Sequence, residues 1–130
     1  MPYVHIVIGL ALVEFLYFGF EVGRARGRYN VPAPATTGNE IFERYFRAQM
    51  NTLEQLVIFI PSVLIFGQYL SPYLAAALGV VFLIGRLVYL FGYVKDPKKR
   101  EVGFFLSAAP TLFLLLGAIV GAARAAWWYR

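Results

Sequence analysis

Four long apolar runs, at roughly residues 3–22, 43–70, 73–94 and 102–128, constrain this chain more than anything else in it. Each is near or above the ~20 residues that carry a helix across ~30 Å of hydrocarbon. Only helices satisfy their own backbone hydrogen bonds in lipid, so the pattern predicts an all-α, four-span membrane bundle, up-down in topology. Composition agrees: 60% of the 130 residues are hydrophobic and 15% are charged. A soluble domain carries about 45–50% and about 25%. A water-soluble globule of this length has no room to hide so much apolar side chain. Residues 1–130 therefore read as a single membrane domain.

The same counts exclude several chemistries. With no cysteine there is no disulfide framework and no thiolate metal site. One histidine, His5, and one aspartate, Asp96, leave no Ser-His-Asp triad and no ordinary zinc site, so no metal is expected. The N-terminus has no basic region and no small-residue cleavage site, which marks a retained first span.

Punctuation between the runs is polar and short. Residues 23–39 carry Arg24, Arg26, Arg28 and Val31-Pro32-Ala33-Pro34, and either Thr37 or Asn39 can cap the second helix. That helix starts amphipathic near Glu40. Ser71-Pro72 breaks the chain before the third span, and residues 95–100 form a basic turn before the fourth. Pro61 and Pro110 fall inside spans two and four as expected kink sites.

The net charge of +5 reports orientation rather than nucleic-acid binding. Arg24, Arg26, Arg28, Arg44, Arg47, Lys95, Lys98, Lys99 and Arg100 cluster around the first and third loops, while the C-terminal end has only Arg124 and Arg130. The positive-inside rule puts loops one and three in the cytoplasm and both termini outside, in the inner membrane if the source is bacterial. Trp127-Trp128-Tyr129 fits an aromatic belt at the outer interface.

Charges within spans are costly and point to function. Glu54 lies ~15 Å into span two, while Arg86 and Glu14 lie ~12 Å from the same face in spans three and one. Sharing one layer, Arg86 is expected to pair with Glu54 or Glu14. On span two, Arg44, Arg47, Asn51 and Glu54 fall within an arc of about 80°. On span three, Arg86, Tyr89 and Tyr93 share a face in the same way. Two such stripes on neighbouring spans describe a polar cleft open to the basic loops. Its cations, carboxylate, amide and phenols suit a small cytosolic zwitterion with extra carboxylates. Gly19-x-x-x-Gly23 and Gly117-x-x-x-Gly121 allow close helix packing.

The stretch from Phe42 to Glu54, reading E-R-x-x-R-A-x-x-N-x-x-E, resembles the signature of the MAPEG family, the membrane-associated proteins in eicosanoid and glutathione metabolism. Arg86-Leu87-Val88-Tyr89-Leu90-Phe91-Gly92-Tyr93, Arg100 and the lead-in Pro34-Ala35-Thr36-Thr37-Gly38 extend the likeness over nearly the whole chain. The resemblance, to the microsomal glutathione transferase and leukotriene-C synthase type, implies a homotrimer with glutathione bound between subunits near the cytoplasmic face. It implies contacts from Arg26, Arg47, Gln49, Asn51, Glu54, Arg86, Tyr89, Tyr93 and Arg100. Arginines would meet the two carboxylates and Glu54 the ammonium group. Arg100 matches the arginine held to stabilise the glutathione thiolate, which makes it the expected catalytic residue. That thiolate would attack a lipophilic electrophile, or reduce a lipid hydroperoxide, arriving from the membrane lipid.

Two positions depart from the leukotriene-forming branch. Gln55 stands where a tyrosine often follows the motif glutamate, and Gly27 stands where a second arginine follows Arg26. A general glutathione transferase or peroxidase is therefore the expectation. Two other readings compete with it. One is a proton-coupled small multidrug exporter using Glu14. The other is a non-catalytic, lipid-binding member of the same family.

Overall fold

A computed structural model of the chain describes residues 1–129; Arg130, counted above among the C-terminal basic residues, lies outside the described residues. Four helices follow one another: α1 (Pro2–Tyr29), α2 (Glu40–Tyr69), α3 (Pro72–Lys95) and α4 (Arg100–Trp128), with a 3-10 turn at Pro97–Lys99. There is no strand among the described residues, and all four helical segments are long and apolar enough to cross a membrane.

Local chemistry sets the ends of these helices. Asn39 is the cap of α2, its side chain accepting from Phe42 N–H at 2.9 Å. Ser71 does the same for Leu74 N–H at 3.1 Å, with Pro72 in the first turn, where a missing N–H costs nothing. Asp96 accepts from Lys98 N–H at 3.1 Å and so shapes the short turn into α4.

One boundary differs from expectation. The first loop does not begin at Gly23; α1 runs on to Tyr29, so Arg24, Arg26 and Arg28 ride on the helix. Asn30 ends it in the left-handed region at φ 56°, and Val31 N–H closes back on Arg26 O at 3.0 Å. Arg26 and Arg28 fall in the last turn, where cations favour the helix dipole, and nothing in residues 23–29 forbids another turn. Both interior prolines, Pro61 and Pro110, lie within helices that continue past them.

The buried stripe of α1, Val4-Val7-Ala11-Phe18-Val22-Ala25, packs against both α2 and α3. Val22 and Ala25 join Val31 and Phe42 at one end, and Val4 packs against Gly67 at the other. In the middle, Phe59 and Phe82 stack at 3.9 Å with their planes 4° apart. Helices α3 and α4 press closest: a Cβ on Gly85 would stand 2.7 Å from Ser107 N, and one on Gly103 would collide with the Tyr89 backbone. The two Gly-x-x-x-Gly runs part company. Gly121 sits where a Cβ would meet Tyr69 Cβ at 2.9 Å, whereas Gly23 has nothing within 4 Å.

Candidate functional site

At the end of the bundle that carries the basic turn, α2, α3 and α4 frame a cleft of about 500 Å³. Arg47 and Asn51 come from α2, four residues apart and hence on one face. Tyr89 and Tyr93 come from α3 at the same spacing, their rings 5.7 Å apart. Arg100, Glu101, Phe104 and Phe105 come from the first turns of α4. Arg100 holds its guanidinium 5.6 Å from the Tyr93 ring centre, so the turn at Pro97–Lys99 brings this cation to the rim of the cleft. The collision-close fit of Gly103 against Tyr89 brings the α4 face to the tyrosines.

Arg86 is behind this wall and not in it. The side chain is 0% exposed. One terminal nitrogen donates to Asn51 Oδ1 at 2.8 Å and the other to Ser107 Oγ at 3.0 Å, and the guanidinium lies 4.4 Å over the Tyr89 ring. The expected ion pair with Glu54 or Glu14 is therefore corrected. Glu54 is exposed, and Glu14, half-buried on α1, feels the charge of Arg86 without forming an ion pair with it. The physical reason is geometric: a planar fork at this depth finds an amide on α2 and a hydroxyl on α4 closer than any carboxylate. Ser107 is prepared for the task. Its hydroxyl lies 2.9 Å from Gly103 O, and donating its proton there leaves a lone pair for Arg86.

Asn51 thus links two regions. Its carbonyl is held by Arg86, which leaves its NH2 group as the end of the amide free to act as a donor in the cleft. Tyr89 serves both regions too, as the ring under Arg86 and as a cleft wall.

Three further expected contacts lie away from the cleft. Arg26 is turned to its own loop, its Nη1 donating to Ala35 O at 2.7 Å and Val31 O at 3.2 Å and its guanidinium covering the Phe42 ring. Gln49 turns toward α1, with Nε2 3.0 Å from where a Cβ on Gly19 would be. Glu54 continues the Arg47 stripe but does not line the cleft. Arg44 anchors the start of α2 to the end of α3, donating to Val94 O at 3.0 Å and pairing with Glu40 at 3.0 Å.

Ser107, Glu101, Phe104 and Phe105 were missed in the sequence. For Ser107 a signal existed: with Gly103 and Thr111 it makes a small and polar i, i+4, i+8 line on an otherwise apolar helix. The two phenylalanines gave none, since apolar residues are the background of such a span.

Comparison with known proteins places this geometry in context. The model of the MAPEG family matches residues 4–120. An uncharacterized protein of Synechocystis is 46% identical over 115 residues, covering 88% of this chain and 84% of its own. Human microsomal glutathione S-transferase 2 is 45% identical over 111 residues, 85% of this chain and 76% of its own. Leukotriene C4 synthase of Cavia porcellus is 37% identical over 105 residues, 81% and 70% respectively. A family model spanning most of the chain, four membrane-length helices and a cleft built from the motif residues of α2 and α3 agree: this multi-pass membrane protein belongs to the MAPEG family.

Proposed function

We propose that the protein is a membrane glutathione transferase with glutathione-dependent peroxidase capacity. The observation that carries the reading is the cleft, where Arg47, Asn51, Tyr89, Tyr93 and Arg100 from three helices face one volume. Glutathione offers two carboxylates, an ammonium group and a thiol. Arg47 takes a carboxylate, the Asn51 NH2 donates to the peptide, and Glu54, one helical turn along the stripe, accepts from the ammonium. The tyrosine hydroxyls supply further donors.

Arg100 at the mouth is the catalytic residue of this reading. A guanidinium beside the sulfur lowers the thiol pKa and raises the thiolate fraction at neutral pH. In transfer, the thiolate forms a C–S bond to an electrophilic carbon while the leaving group departs with the electron pair of the bond it loses. In reduction, the thiolate forms an S–O bond to the terminal oxygen of a lipid hydroperoxide as the O–O bond breaks, giving the sulfenic acid and an alkoxide that takes a proton from water to leave as the alcohol. A second glutathione then converts the sulfenic acid to disulfide and water. Phe104 and Phe105, on the α4 side of the cleft, give the lipophilic partner an apolar approach from the bilayer.

Arg26 and Gln49 stand away from the cleft of their own chain, which supports a homotrimer in which one subunit completes the site of the next. The basic loops support a cytoplasmic site, with both termini on the outer side.

Calorimetric titration of glutathione into purified protein tests the site. Arg47→Ala and Glu54→Ala should each weaken binding by about 1.5–3 kcal/mol, the worth of a hydrogen bond to a charged group. Unchanged affinity in both would sink the proposal. Turnover of 1-chloro-2,4-dinitrobenzene separates a transferase from a lipid-binding relative, which would bind glutathione and convert nothing.

A further inference from the structure

On the far side of the α3–α4 pair from the cleft runs a second groove, walled by Leu87, Val88 and Phe91 of α3 and Val102 of α4. Its volume is about 570 Å³ and its walls are almost wholly apolar. From Ile84 to Lys95 it follows α3 for about 16 Å, about half the ~30 Å of hydrocarbon and so the depth of one leaflet. One end alone is charged, by Lys95 on α3 and Lys99 on the 3-10 turn. The two come from different elements, and a close contact brings them together: a Cβ on Gly92 would stand 3.1 Å from Lys99 O.

Among the described residues neither lysine makes an ion pair or a side-chain hydrogen bond. No carboxylate lines this groove. Asp96 is turned to Lys98 N–H, and Glu101 lines the other cleft. Two unmatched cations at the mouth of a leaflet-deep apolar groove complement one kind of occupant.

We infer that this groove is a binding site for an acidic phospholipid of the adjoining leaflet, with an acyl chain along Leu87, Val88 and Phe91 and the phosphate between Lys95 and Lys99. The phosphate is favoured over a single carboxylate because its oxygens fan out to accept from two ammonium groups at once, while a second acyl chain stays in the bilayer. A basic residue near an anionic lipid surface contributes an amount that corresponds to about fivefold in affinity.

Native mass spectrometry of the detergent-purified protein, titrated with phosphatidylglycerol, phosphatidylcholine or oleate, tests the inference. Phosphatidylglycerol should be retained in preference to the other two. Lys95→Gln and Lys99→Gln should each lower its apparent affinity about fivefold, while Lys98→Gln, the same charge change on the same turn but outside the groove, leaves it unaltered. Val88→Trp should exclude the lipid by filling the groove. The lysine variants are exposed, so they carry the test if that variant fails to fold. Equal retention of phosphatidylcholine, or an equal loss in Lys98→Gln, overturns the site in favour of a general surface field. Preferential retention of oleate overturns the phospholipid. A change of oligomer mass in Val88→Trp with no lipid displaced overturns it in favour of a second copy of the chain. None of these readouts uses glutathione, so they stand apart from the proposed activity.

Discussion

Arg86 and Arg100 lie on successive helices at the same end of the bundle, yet the fold treats them in opposite ways. Arg86 is sealed in, its fork filled by Asn51 and Ser107 and its face covered by Tyr89. Arg100 is exposed at the rim of the cleft, beside the Tyr93 ring. A charge whose two terminal nitrogens are both held by the protein keeps structure in place. A charge whose donors are left over is available to a ligand. Motif matching alone puts both in one list of contacts, and burial separates them.

The largest effect expected from this contrast is on stability. Arg86→Leu removes the cation and strands the Asn51 carbonyl and the Ser107 hydroxyl in a layer with little water. Each buried polar group left without its partner costs about 1–3 kcal/mol, so the two together cost about 2–6 kcal/mol. The loss should appear as a lower melting temperature in detergent with no ligand present. Arg86→Lys should recover only part of it, because a single ammonium cannot span an amide and a hydroxyl as the fork does. A melting temperature that holds in Arg86→Leu would break the contrast outright.

A smaller loss is expected where the two regions are pressed together. Gly103 admits no Cβ without moving the Tyr89 backbone, so Gly103→Ala should destabilise by about 1–3 kcal/mol, typical of overpacking. Because Tyr89 is both the floor under Arg86 and a wall of the cleft, glutathione affinity should fall with stability. Calorimetry and melting on the same sample check the coupling. A stability loss with unchanged affinity would show that the regions are independent.

How much of this was legible in the sequence follows from what each feature depends on. The four helices were legible because apolar length and capping residues act locally. Asn39 and Ser71 cap as their types suggest, and Asn39→Ala should cost about 1 kcal/mol of stability, read by thermal unfolding. The end of α1 was misread because the arginines look like a loop by polarity, although they are good helix formers in a dipole-favoured last turn. Helical spacing did collect Arg47 with Asn51, and Tyr89 with Tyr93. It could not say which partner Arg86 would choose. That depends on how closely α4 approaches α3, and hence on Gly85, Gly103 and Ser107, whose roles emerge only when two helices meet.

Arg100→Ala closes the series with the smallest expected effect on the fold and the most specific one on chemistry. An exposed side chain without a buried partner should change stability by no more than about 0.5 kcal/mol, so the melting curve should overlay that of the wild type. The thiol is another matter. If this guanidinium supports the thiolate, its removal raises the pKa of bound glutathione, and the loss falls on the reactive species more than on the ground-state complex. Thiolate absorbance against pH for bound glutathione should therefore move to higher pH in Arg100→Ala. The dissociation constant should change less than turnover of 1-chloro-2,4-dinitrobenzene does. Arg86→Lys supplies the converse, losing stability while the pH curve of whatever glutathione still binds stays in place. If the Arg100→Ala and wild-type pH curves coincide and turnover survives, Arg100 is one more basic residue of the loop. The line between a buried, structural arginine and an exposed, chemical one would then have to be drawn at Arg47 instead.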